Sequence, residues 1–309
     1  MSTLPAHLRD AVAAAWSGLP RRLRMSGARY VEPLNKAALA AGADPLVTVR
    51  MRLGHVLRLD LRSGTEWFSY YSREFDDRRV ATARRLLRAP GAVAVDAGAN
   101  IGLWSVPLAR HLVPLGGRLL ALEPMPANAR RLRENLALNG LAGVADVREV
   151  AVSDRVGSAA LSLREDFRDG AATGNAALVI DDGTDDEYRQ IEVRTAPLDD
   201  LVGAGDRVDF VKADLEGHED RFLLGAVRTL RRCRPVAVLE WNRVYYERRG
   251  IDPTAATADL LHDLDYRCLR CTPSGWSASD EFASPRPVDD LVLAPRERVP
   301  DVLTAVDAW

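Results

Sequence analysis

The chain has 309 residues, 47% apolar and 28% charged. It is long and apolar enough to bury a full core, which excludes a disordered chain and a small disulfide scaffold. With 42 Lys+Arg against 44 Asp+Glu, the formal net charge of −2 sets up no global field for polyanions, so neither nucleic acid nor a membrane is expected as a partner.

Asp10 and the Pro20-Arg21-Arg22 break interrupt the Ala11–Leu19 stretch, which therefore does not read as a signal peptide, and no run reaches the roughly 18 apolar residues of a membrane span. Three cysteines, Cys233, Cys268 and Cys271, are an odd number that fits a reducing compartment, so a cytoplasmic protein is expected. Cys268 and Cys271 have the spacing of half a zinc site. No second pair exists, however, and on a strand positions three apart face opposite sides, so two thiols and no metal are expected.

In chain order, residues 1 to about 45 read as helical, with Leu8, Val12, Trp16 and Leu19 recurring at spacings of three and four. The period then becomes two from Leu46, breaks at Gly54-His55 and resumes over Val56–Leu61, which predicts a hairpin. Arg50, Arg52, Arg58 and Arg62 on it either face solvent or grip an anionic substrate. Glu74–Leu87 reads as a helix. Candidate strands follow at Val93–Ala97, Arg118–Glu123, Asp146–Val152, Val208–Ala213 and Pro235–Glu240, with helical stretches Leu103–His111, Ala127–Asn139 and Glu219–Leu230 between them. That alternation predicts an α/β fold with a doubly wound parallel sheet and right-handed crossovers. Gly157–Thr195 departs from it: Ala159–Leu163 and Ile191–Thr195 flank a Gly- and Asp-rich middle, read as a β-hairpin insertion at about 157–195 with a mobile loop near Glu165–Asp186. The chain thus divides into an extension, 1–75, of helices and a hairpin able to cap a site, and a main domain, 76–309.

The first strand–helix turn of that domain carries Asp96, Gly98, Asn100 and Gly102. Glycines there let a ligand approach the backbone, at the place where nucleotide-like ligands bind in such sheets. Glu123 closes the next strand, where a carboxylate can take both hydroxyls of a ribose. These features suit either a dinucleotide or S-adenosylmethionine. Asp96 favours the latter, because a carboxylate there repels a diphosphate and suits the ammonium of a methionine moiety, directly or through water. Asn100 also replaces the middle glycine of a dinucleotide fingerprint. The densest polar cluster is Lys212, Asp214, Glu216, His218 and Glu219 at the end of the fourth strand, read as the rim where substrate meets cofactor rather than as a capped helix start. Glu240, Trp241 and Asn242 end the adjacent strand and add to that rim.

At this point the residues resemble a family. V-D-A-G-A-N-I-G at 95–102, A-L-E-P at 121–124, A-V-S-D at 151–154 and, most specifically, F-V-K-A-D-L-E-G-H-E at 210–219 are similar to the corresponding segments of FkbM-type methyltransferases. The resemblance covers roughly residues 70–295, with 289–294 as a late antiparallel strand. It implies a Rossmann-like seven-stranded methyltransferase sheet, S-adenosylmethionine as cofactor with its methionine end near Asp96, Gly98 and Asn100, its ribose at Glu123, and its adenine near Val152, Ser153 and Asp154. It further implies O-methylation of a hydroxyl on a small molecule such as a sugar, polyketide or other specialised metabolite.

Methyl transfer from a sulfonium is an in-line displacement whose leaving group needs no acid, so alignment and deprotonation of the acceptor are what remain for the protein. Asp214 and His218 are the candidate bases, with Glu216 or Glu240 orienting them and Lys212 in the same cluster. A divalent metal held by Asp214, Glu216, Glu240 and Asn242 is the rival mechanism. An NAD-dependent oxidoreductase and a non-catalytic cofactor-binding protein are the rival functions. Neither the acceptor nor the oligomeric state can be read from the residues.

Overall fold

The computed structural model describes residues 4–306 except 27, 165–166, 168–169, 172, 180–182, 184, 273–274, 280–281 and 283–285. Part of the loop expected over Glu165–Asp186, and the side chain of Cys271, lie outside what is described. In chain order the strands are β1 (Leu46–Arg50), β2 (Val56–Asp60), β3 (Val93–Ala97), β4 (Arg118–Leu122), β5 (Ala145–Arg148), β6 (Ala151–Val152), β7 (Gly157–Leu163), β8 (Ala176–Leu178), β9 (Arg189–Ala196), β10 (Phe210–Ala213), β11 (Val236–Asn242), β12 (Tyr266–Thr272), β13 (Gly275–Ser279) and β14 (Val288–Pro295).

The main sheet runs β5-β4-β3-β10-β11-β14-β12-β13. Its first five strands are mutually parallel, and β14 is antiparallel to both neighbours. The expected seven strands are all present. The hairpin from β12 adds β13 as an eighth at the edge.

Alternation along the central strands separates two cores. Ala94 and Phe210 pack into one apolar cluster with Val106, Leu108 and Leu112 of the helix Ser105–Leu112 and Leu132 of the helix Pro126–Leu138. Val95, Ala97, Val211 and Ala213 pack into the other with Phe222 of the helix Glu219–Leu224 and Leu261 of the helix Thr254–Asp263. Helices therefore cover both faces, and each fully buried leucine or phenylalanine contributes roughly 1.5–3 kcal/mol.

Three boundaries differ from expectation. The segment read as one strand over Asp146–Val152 is two, because after β5 the chain leaves the main sheet and β6 pairs with β9. The helix read over Glu219–Leu230 breaks into Glu219–Leu224 and Val227–Cys233. A Cβ on Gly225 would lie 1.9 Å from the Ser153 carbonyl oxygen, so the glycine that interrupts the helix also lets it abut the end of β6. An unexpected helix, Gly64–Ser72, precedes the one read from Glu74, which begins only at Asp77.

The N-terminal extension forms helices Leu4–Ser17, Arg21–Ser26 and Ala28–Ala40 and the antiparallel β1–β2 hairpin. The hairpin docks through two asparagines one turn apart. Asn139 Oδ1 accepts from Val56 N–H at 2.8 Å while its amide donates to Val56 O at 2.7 Å, and Asn135 Oδ1 accepts from Arg58 N–H at 2.7 Å. Side-chain amides thereby supply partners along the open edge of β2. The 157–195 insertion is larger than a hairpin: β7 pairs antiparallel with both β8 and β9, giving the order β6-β9-β7-β8.

Candidate functional site

The carboxyl ends of β3, β4 and β10 open into a cavity of about 200 Å³ lined by Gly98, Ala99, Asn100, Glu123, Val152, Lys212, Asp214, Glu216, His218 and Glu240 among others. The groups around this hollow are spread along the sequence from Gly98 to Glu240, and the parallel sheet brings them together at the crevice where such folds bind ligands.

The turn after β3 is held from behind. Gly98 N–H and Ala99 N–H both donate to Leu122 O, at 2.9 and 3.1 Å. Gly98 has φ +76° and a Cβ there would lie 1.9 Å from Asp214 O, so glycine is required for two strand ends to meet. Asn100 takes a left-handed φ of 48° and its N–H donates to Glu123 Oε2 at 2.8 Å. Glu123 Oε1 accepts from Met125 N–H at 3.0 Å and the Asn128 amide at 3.3 Å. Burial nevertheless pushes Glu123 up to about 7, against the lowering effect of those donors. Gly102 serves packing: it does not line the cavity, and a Cβ there would meet Leu132 Cδ1 at 2.7 Å.

Asp96 has no exposed surface and stands behind the cavity wall rather than on it. Direct contact with a methionine ammonium is therefore corrected: the ammonium that Asp96 meets is that of Lys212, 3.5 Å from its Oδ1, while Ser105 Oγ donates to its Oδ2 at 2.6 Å. The two residues are register partners on adjacent strands. Lys212 Nζ also donates to Gly98 O at 2.9 Å and lies 3.4 Å from Asp214 Oδ2. Burial alone would lower Lys212, but Asp214, Asp96 and Glu240 raise it above its ordinary range.

Glu216 lies beyond the end of β10 at Ala213, so the strand's pleat does not place it. Glu216 has φ 53° and Gly217 φ 90°, and the loop they form is pinned by Glu219, whose Oε1 accepts from Leu215 N–H at 2.8 Å and whose Oε2 accepts from the Tyr246 hydroxyl at 2.8 Å. Crowded acids then raise one another. Burial and the charge of Asp214 push Glu216 up to about 7, and Asp214, burial, Glu216 and Asp290 push Glu240 up to about 8. His218 is buried, and burial together with the Arg249 charge lowers it to about 4. Its Nδ1 has no hydrogen-bond partner among the described residues.

Two expected rim residues face elsewhere. Trp241 is 1% exposed and packs against Tyr246 and Phe282 in the opposite core, as alternation after Glu240 requires, and Asn242 caps the next helix by accepting from Val244 N–H at 3.2 Å. Ser153 and Asp154 do not reach the cavity either. Ser153 Oγ donates to Asp154 at 3.1 Å, and Asp154 pairs with Arg221 at 3.0 Å. Among the described residues no group of three His, Cys, Asp or Glu is disposed to hold a metal ion, and no helix is long and apolar enough to cross a membrane.

Several lining residues carry no sequence signal of their own. Thr65 and Phe75 bring the end of the extension to the cavity, and Asn175–Leu178 bring the insertion. These two parts meet where Thr173 Oγ donates to Glu66 Oε1 at 2.8 Å. Asn128 was the most legible omission, a polar residue on the first turn after the strand-ending Glu123.

A family model described as the methyltransferase FkbM domain matches residues 96–268. No curated protein matches the chain. Among solved structures, the methyltransferase FkbM from Methylobacillus flagellatus KT is 18% identical with a TM-score of 0.42 over 73% of this chain and 52% of that one, so the chain spans about half the length of that protein. The O-methyltransferase TomG from Streptomyces achromogenes is 17% identical with a TM-score of 0.39 over 71% and 78% of the two chains. A SAM-dependent O-methyltransferase from Thermotoga maritima is 12% identical with a TM-score of 0.39 over 84% and 81%.

Proposed function

The chain belongs to the FkbM methyltransferase family, and from that membership we propose that it transfers a methyl group from S-adenosylmethionine to a hydroxyl of a small molecule such as a sugar, a polyketide or another specialised metabolite. The observation that carries this reading is the convergence of the Gly98–Asn100 turn, the Glu123 carboxylate and the Asp214–His218 loop on one cavity.

Glu123 is the group to hold a ribose, since its two oxygens, fixed by three donors, keep one of a carboxylate's roughly four lone-pair sites, on Oε2, for a hydroxyl. Gly98, Ala99 and Asn100 wall the methionine end, with Asp96 acting from behind by fixing Lys212. Val152 supplies an apolar surface for adenine, while Ser153, Asp154 and Gly102 act only by shaping the walls. Asn100 N–H is already given to Glu123 rather than offered to a pyrophosphate, which disfavours the NAD reading. S-adenosylmethionine supplies an electrophilic methyl carbon on a leaving group that needs no proton.

Deprotonation of the acceptor falls to the acid cluster. A base contributes roughly 10²–10⁴-fold and works best with a pKa near the operating pH. Glu216 and Glu240 both line the cavity and are both raised toward that range by burial and the charge of Asp214, whereas burial and the Arg249 charge lower His218 away from it. We therefore assign Glu216, the one of these two acids on the Asp214–His218 loop, as the base, with burial and Asp214 raising it, Tyr245, Arg164 and Lys212 opposing that rise, and His218 shaping the wall. A cytoplasmic setting accords with Cys233 and Cys268, which are free thiols.

Calorimetric titration with S-adenosylhomocysteine and with NAD tests the assignment. Tighter binding of S-adenosylhomocysteine is expected, weakened about 10–100-fold in Glu123→Gln, as for loss of a charge-assisted hydrogen bond. Tighter binding of NAD would overturn it.

A further inference from the structure

A second cavity, of about 420 Å³, adjoins the first. Asn175, Ala176, Ala177 and Glu216 line both, and the second adds Arg164, Tyr188, Tyr245 and Arg248. Its chemistry is different. The guanidinium of Arg164 stands 4.8 Å from the centroid of the Tyr245 ring and that of Arg248 5.9 Å from it, so one aromatic ring carries two cations.

Arg164 is 7% exposed. Its Nε donates to Asp185 at 3.2 Å and its Nη1 to the Tyr245 hydroxyl at 2.6 Å, whereas its Nη2 has no hydrogen-bond partner among the described residues. Leaving an edge of a buried guanidinium without an acceptor is costly, and guanidinium edges fit the paired oxygens of a carboxylate or phosphate. Arg248 is exposed and so brings its charge to the mouth of the same cavity. Glu216 and Asp185 are the opposing acids; Asp185 is engaged with Arg164, and Glu216 stands at the boundary with the first cavity.

We propose that this second cavity receives the methyl acceptor, and that the acceptor carries an anionic oxygen group, carboxylate or phosphate, seated on Arg164 and Arg248 with its hydroxyl toward Glu216. Methyl acceptance at this site rests on the methyl-transfer reading; the anion site does not. The insertion thereby acts in substrate selection, since Arg164 directly follows its strand β7.

The experiment is a titration of the full chain, labelled with ¹⁵N at arginine, with sodium acetate and sodium phosphate against sodium chloride at equal ionic strength. A saturable shift of the Arg164 side-chain signal is expected with acetate or phosphate and not with chloride, and the tighter of the two anions identifies the group. Arg248→Gln, a surface change that leaves the core intact, should weaken binding about 3–10-fold, and Arg164→Lys by about 10-fold or more. S-adenosylhomocysteine should bind the anion-loaded protein undiminished. Absence of a saturable shift, an unchanged affinity in Arg248→Gln, or competition between the anion and S-adenosylhomocysteine would overturn the proposal. Failure of S-adenosylhomocysteine to bind at all, with the anion still bound, would instead remove the methyl-transfer reading and leave the anion site standing.

Discussion

Lys212→Met is the sharpest test of the site's architecture, because it removes one cation from between two carboxylates. Asp96 has no exposed surface, and Lys212 Nζ is the ammonium beside it at 3.5 Å. Taking away one member of a buried pair costs about 3–5 kcal/mol, since the remaining charge has lost its solvent and its partner. Methionine keeps most of the lysine stem's volume, so little of that loss is a cavity. Asp96 responds by holding its proton. Burial already raises it above the carboxylate range, with the Lys212 charge and the Ser105 hydroxyl opposing that rise, and the variant loses the larger of these two opposing causes.

The sign follows by linkage. A folded-state pKa raised above the unfolded value means that stability is full below the unfolded pKa and falls as pH rises toward the folded one, by up to about 1.4 kcal/mol per pH unit for one proton. Urea denaturation at about pH 5.5 and about pH 8.5 should therefore show the variant's deficit growing with pH. Asp96→Asn in the same chain removes the charge that was orphaned, and the double variant should recover about 2–3 kcal/mol relative to the sum of the single changes. A deficit independent of pH, together with a coupling near zero, would refute the view that Asp96 exists to fix Lys212.

Gly98→Ala should destabilise the fold by roughly 3 kcal/mol or more, since it combines a left-handed φ with a Cβ placed against the Asp214 backbone; denaturation measures it, and a near-neutral change would show that the β3 and β10 ends can separate. In the pH profile of kcat/KM, activity should rise through the Glu216 value of about 7 as the carboxylate loses its proton, and Glu216→Gln should abolish that limb while leaving S-adenosylhomocysteine affinity within about twofold. His218→Ala should retain the limb, and its loss there would return the base to the histidine. Exhaustive chelation should leave turnover unchanged; activity lost and restored by magnesium would make Asp214, Glu216 and Glu240 ligands instead.

The alternation of strands and helices, and with it the layering of the domain, was legible because parallel strands buried on both faces leave continuous apolar runs such as Leu119–Leu122 between helical periods. Legibility failed where the backbone changes sheet without a change in hydrophobic pattern. Asp146–Val152 reads as one run, yet Arg148 O closes the main sheet by accepting from Glu123 N–H at 3.1 Å, and Ala151 and Val152 pair with β9. Gly225 carried the visible sign of a helix break, but its cause is the Ser153 carbonyl packed against it, a contact between segments about seventy residues apart in sequence.

In the site, residue types were legible and their facing was not. Parity along a strand predicts which side chains share a face only while the strand lasts. Lys212 and Asp96 obey it as register neighbours, and Trp241 obeys it by turning away from Glu240 into the opposite core. Glu216 lies beyond β10 at φ 53°, so its position is set by Glu219 and Tyr246 rather than by the pleat. On the proposed assignment, the acid expected to orient the base becomes the base itself. A carboxylate's strength depends on how many charges and how much solvent surround it, and those are properties of Asp214, Arg164 and Tyr245 meeting it in space. Two of the three come from outside the motif at 210–219, one from the insertion and one from the helix after β11. The motif therefore places a carboxylate at the rim and supplies, in Asp214, a charge that raises it, while the Tyr245 hydroxyl and the Arg164 charge from outside the motif act in the opposite direction. Altering Arg164 or Tyr245 should move the Glu216 limb of the rate profile without any change within the motif.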